Sequence, residues 1–144
     1  MPPATTISPP IEELGHGLKR QWLHEGRILT LTIPPEAARA VSDAWAEATL
    51  AAMAEWPNER PFLALHDFSV SGFSRYGSAK ADEVVKAIPP HLQGRVALVV
   101  TNNVFGNMIR VGSRGMMLFM TKQRLESRFF TNRDAALTWL EELL

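Results

Sequence analysis

The sequence predicts an α/β fold, a mixed sheet of four to five strands with helices packed on it. Three observations carry this. Residues 95–101, RVALVVT, place five consecutive apolar side chains behind Gly94, the pattern of a central strand buried on both faces. Residues 61–67, PFLALHD, repeat it with four apolar residues and a polar end. Residues 78–90 between them read as helical, and strand, crossover helix and strand make the βαβ unit that sets two parallel strands side by side.

Each element then follows in order. Residues 1–12 form a disordered tail: the first ten include four prolines and little that could pack, so they cannot offset the entropy of ordering. The remaining 13–144 make one domain, the size a chain of 144 residues supports. Residues 18–24 lead through Glu25 and Gly26 into RILTLTI, where Leu29, Leu31 and Ile33 alternate with Thr30 and Thr32. That is a hairpin, with Gly26 supplying the positive φ of its turn. Pro34 and Pro35 end the second strand and open a helix over 36–56, with Val41, Trp45, Ala48 and Ala52 on one face. Pro57 and Asn58 close it.

The strand over 62–66 runs into the loop DFSVSGFSRYGS and then a short helix carrying Ala79, Val84, Val85 and Ile88, which stops at Pro89 and Pro90. Past the central strand, Asn102 or Asn103 caps a helix over 104–122, with Phe105, Ile109, Gly112 and Met116 along one face. Gly112 and Gly115 weaken it by about 1 kcal/mol each relative to alanine, which suggests a break or a close approach. Residues 127–131, SRFFT, are a last short strand. Asn132 or Asp134 starts the closing helix, whose buried face is Ala136, Leu137, Leu140, Leu143 and Leu144, with Trp139 beside them. The order is β β α β α β α β α.

A two-strand start, a strand ending in Asp67-Phe68-Ser69, the central RVALVV strand and the closing ESRFFTNRDAALTWLEEL together resemble the SpoIIAA-like family, whose fold is that of STAS domains. The resemblance covers about residues 14–144, and its most specific part is Ala-Leu-Thr-Trp-Leu at 136–140. It implies a small non-catalytic regulatory or protein-interaction domain whose partner is a second copy or another protein. It also implies a phosphorylatable serine at the start of the helix after the Asp67 loop. The family sets that serine in an Asp-Ser-Ser-Gly-like motif; here Arg75, Tyr76 and Gly77 occupy the place, and Ser78 is the nearest hydroxyl.

Composition narrows the function classes. Apolar residues make up 46%, charged residues 21%, and 15 basic balance 15 acidic side chains, so no net charge draws the chain to nucleic acid or membrane. With no cysteine there is no thiolate chemistry or disulfide framework, which fits a reducing cytoplasm. No apolar run exceeds five residues, the length of 116–120, far short of a membrane span. His16, His24, His66 and His91 lack ligand spacing, so no metal site is expected, and no phosphate-cradling or dinucleotide fingerprint implies a cofactor. His66 and Asp67 adjoin in sequence, but neighbouring strand residues point to opposite faces.

Ligands of open α/β sheets meet the carboxyl ends of parallel strands. Here that groups Asp67, Ser69, Ser71, Ser74 and Ser78 with Asn102 and Asn103 as a candidate ligand or partner site; local turn and capping roles are the alternative. Between residues 95 and 133 seven basic side chains (Arg95, Arg110, Arg114, Lys122, Arg124, Arg128, Arg133) face one acid, Glu126. The expectation is a solvated rim paired with acids of the first long helix. Residues 116–120, MMLFM, are apolar around the whole helix circumference, which makes Met116, Met117, Leu118 and Met120 a candidate interface. A homodimer, a protein partner or an apolar small molecule held between this helix and the sheet would cover it, and burial under the chain's own last helix or tail is the alternative. An enzyme using Asp67 and the asparagines is the third reading, without a nucleophile and base pair to support it.

Overall fold

The structure is a computed structural model and describes residues 9–36, 38–69, 74–103 and 124–144. It is α/β, with a six-stranded mixed sheet in the spatial order β1-β2-β3-β4-β5-β6. The strands are β1 (Ile11–Glu13), β2 (Lys19–Leu23), β3 (Ile28–Thr32), β4 (Phe62–Asp67), β5 (Gly94–Val99) and β6 (Leu125–Phe130). The described helices are α1 (Arg39–Glu55), α2 (Arg75–Lys86) and α3 (Arg133–Glu141). β2 runs antiparallel to both of its neighbours, β1 and β3, and β3 to β6 are parallel.

The sixth strand corrects the expected four to five. β1 lies partly inside the span read as tail: Ile11, Glu12 and Glu13 pair with Gln21, Arg20 and Lys19. All three residues are exposed, so no alternation of apolar and polar side chains marks the strand. Pairing and the Arg20–Glu12 ion pair at 2.8 Å hold it instead. The β2–β3 turn takes His24, Glu25 and Gly26 all at positive φ. The Arg27 amide donates to the Leu23 carbonyl at 3.1 Å and closes it.

The helices depart from expectation at their ends. α1 starts at Arg39, later than the prolines suggested, with Ala38 in the cap position and no side-chain cap. α2 starts earlier, at Arg75, because the Ser74 hydroxyl accepts the Gly77 amide at 3.0 Å and caps it. α3 is capped by Asn132, whose side chain accepts from the Ala135 amide at 3.1 Å. It ends at Glu141, so Leu143 and Leu144 fall past the helix and are 37% and 47% exposed, not buried. The helix expected over 104–122 lies outside the described residues.

Alternating residues of the parallel strands feed two cores. On one face α1 and α2 cover Leu29, Leu31, Phe62, Ala64, Val96 and Leu98, joined by Trp45, Trp56 and Phe68. On the other α3 sets Ala136, Trp139 and Leu140 against Ile28, Leu63, Leu65, Ala97 and Val99. Gly94 opens β5 at φ 150°, where a Cβ would lie 2.0 Å from the Phe62 carbonyl oxygen. Only glycine permits that approach of β5 to β4.

Candidate functional site

The carboxyl ends of the parallel strands bring Asp67 and Ser69 together. Asp67 is the last residue of β4 and is 7% exposed. Its Oδ1 accepts from the Ser69 amide at 2.9 Å and from the Ser69 hydroxyl at 2.6 Å. Its Oδ2 accepts from Arg133 Nη1 at 2.9 Å, and the same Nη1 reaches Thr32 Oγ1 at 3.3 Å. One carboxylate therefore fixes the turn after β4 and ties it to the first residue of α3. These charge-assisted bonds are the stronger class of hydrogen bond.

The other candidate residues are placed separately. Ser74 is spent on capping α2. Ser78 is the fourth residue of α2, not its first, and is 8% exposed with a hydroxyl that finds no hydrogen-bond partner. Asn102 and Asn103 are exposed and already helical in backbone, ahead of the start expected at 104. Ser71 lies outside the described residues, as do Met116, Met117, Leu118 and Met120 of the candidate interface. Beside Asn102 an open groove of about 370 Å³ is floored by Val100, Phe129 and Phe130 and rimmed by Thr131 and Asn132.

Arg133, Thr32 and the aromatic floor were not singled out from the sequence. In the sequence Arg133 stands out only as one member of the basic excess, although its place just after β6 puts it at the same strand ends as Asp67. The described members of that excess are not paired with α1. Arg95 holds Glu142 at 2.7 Å and Glu126 at 3.5 Å and donates to the Trp139 carbonyl at 2.8 Å. Arg128 approaches Glu126 at 3.8 Å, and Arg133 holds Asp67. The reason is geometric: these arginines are on β5, β6 and α3 and meet acids of the α3 face, whereas α1 covers the opposite one.

His66 points away from Asp67, into the α1/α2 core, as strand alternation requires. Trp45 Nε1 donates to its Nδ1 at 2.9 Å. Burial pushes its pKa from 6.5 down to about 4, so the ring is neutral. The space beside it, lined by Trp45, Met53, Val84 and Leu98 among others, is about 30 Å³, room for about one water and no lipid. The other space proposed for an apolar ligand, beside residues 104–122, lies outside the described residues.

On the outer side of α1 and α2 the Tyr76 hydroxyl donates to Asp43, and Lys80 reaches Asp43 at 3.3 Å. The tyrosine bond holds the Asp43 carboxyl below its ordinary range and raises the Tyr76 phenol, with Lys80 adding to the Asp43 effect. Among the described residues no cluster of three or more metal-ligating side chains occurs, and no helix is long and apolar enough to cross a membrane. Comparison of the chain with protein-family models, curated proteins and solved structures finds no match.

Proposed function

We propose that the chain is a non-catalytic regulatory or protein-interaction domain of the SpoIIAA/STAS-like type, acting in the cytoplasm, with a second copy or another protein as its partner. What supports this reading most is how the polar groups at the strand ends are used. Both oxygens of Asp67 are engaged in holding Ser69 and Arg133, so the carboxylate serves as a fastening. Next to it stands an open groove with an apolar floor, a polar rim and exposed asparagines. An apolar centre with adaptable polar groups around it suits a protein surface. Photo-reactive residues placed at Asn102 and at Asn103 test this in cells that express the full chain. A discrete cross-linked product, to the chain itself or to one other protein, is expected. Recovery of monomer alone from both positions overturns the reading.

A further inference from the structure

We infer that two copies of the chain join edge to edge through β6, in antiparallel pairing about a twofold axis at Ser127. This deepens the proposed interaction function and rests on it for the choice of a second copy as partner. β6 is the last strand of the sheet, and among the described residues none lies beyond it. The Val100 amide donates to the Phe130 carbonyl at 2.8 Å, which sets the phase of the ladder. Phe130, Arg128 and Glu126 turn their backbone groups to β5, and Ser127 between them turns its N–H and C=O outward. The Ser127 hydroxyl is buried and has no hydrogen-bond partner.

The side chains of β6 select one register. Pairing centred on Glu126 sets carboxylate against carboxylate, and pairing centred on Arg128 sets guanidinium against guanidinium. Centred on Ser127, each Glu126 lies opposite an Arg128, twice over, on the face that carries α3. Directly opposed residues of an antiparallel pair are close enough to interact. In the same register the two Ser127 residues exchange their outward backbone hydrogen bonds. Within one copy Glu126 also meets Arg95 at 3.5 Å and Arg128 lies over the Trp139 ring, but their own approach is only 3.8 Å and their side chains are 55% and 54% exposed, which leaves both able to reach a neighbour. Leu125 is 1% exposed, which starts the junction at Glu126 and keeps it short.

Sedimentation of the full chain is expected to give a concentration-dependent monomer–dimer equilibrium that salt weakens. Glu126→Arg and Arg128→Glu each place two like-charge pairs across the axis and are expected to weaken association about tenfold or more. An equimolar mixture of the two variants should associate as strongly as the unaltered chain, because the basic strand of one then meets the acidic strand of the other. Ser127→Pro, which removes an outward N–H that β5 does not use, should keep the thermal midpoint and lose the dimer. A dimer that neither charge reversal weakens, or a mixture no tighter than either variant alone, overturns the β6 assignment and leaves the interaction function standing. A chain monomeric at every concentration overturns it as well, and the cross-linking at Asn102 then decides the interaction function separately.

Discussion

The two faces of the sheet are built from alternate residues of the same strands and are closed in different ways. The α1/α2 face is sealed by aromatic mass: the Trp45 and His66 rings lie 5.5 Å apart, Trp45 and Phe68 5.8 Å, Trp56 and Phe62 4.7 Å. The α3 face is covered among the described residues by one helix of nine residues, and that helix is pinned at both ends. Arg133 fastens its start to Asp67, while Arg95 holds the Trp139 carbonyl and Glu142 near its end and His24 meets Glu141 at 2.7 Å. A broad apolar contact fixes an element by area; a narrow one leaves more of the positioning to directed polar bonds. Among the described residues the ion pairs that fasten an element to the sheet therefore lie on the thinner face, where the candidate site also begins, while Lys80 and Asp43 pair on the outside of α1 and α2.

Truncating one tryptophan on each face probes the contrast most strongly. Trp45→Ala and Trp139→Ala should each lose about 3 to 5 kcal/mol of unfolding free energy, with Trp45 at the upper end because it also strands the His66 acceptor. Urea denaturation measures both, and an unchanged midpoint for Trp139→Ala would remove α3 from the core. Acid comes next. As pH falls from about 6.5 the unfolded chain protonates His66 first and the folded chain only near 4. Stability should therefore drop across that window by about 3 kcal/mol and lose nothing further from this group below it. His66→Leu should abolish that slope, whatever its effect at neutral pH.

Breaking the fastening at the start of α3 is the third test. Arg133→Met leaves the Asp67 carboxylate, 7% exposed, without its cation, and should cost about 1 to 3 kcal/mol. A loss within error would mean that the apolar contact alone holds α3. Smallest is Glu141→Gln at the other end, where both side chains of the His24 pair are 42% exposed. The expected change is about 0.5 kcal/mol or less, and a larger shift in the melting midpoint would rank the end of α3 above its start.

The α1/α2 face was largely legible in the sequence and the other less so. Consecutive apolar runs announced β4 and β5, and alternation announced β3, because burial on a sheet leaves a periodic trace. Trp139 carried the same trace and is buried at 5% exposure. β1 left none, since an exposed three-residue edge strand is held by backbone pairing and one ion pair and buries no apolar face. Half the candidate site was readable for a similar reason: Asp67 and Ser69 are two residues apart, and a short Asp-x-Ser segment bonds locally. Arg133 is separated from Asp67 by 66 positions, and no local pattern specifies which of the arginines beyond β5 returns to that carboxylate.

The edge at β1 has a consequence for how far the sheet can grow. Pro9 has no amide hydrogen to offer a newcomer, Glu12 and Glu13 with Arg20 and Lys19 opposite them put charged groups along the border, and three residues are too few to template a long neighbour. A sheet closed on that side has a valence of one. Any strand that adds must do so at the far side, and a second molecule joined there through the same edge presents only another proline-guarded border. Under the β6 pairing proposed above, growth by edge addition would terminate with the pair and keep the parallel, valine-rich strands at the centre of the fold out of open-ended fibres.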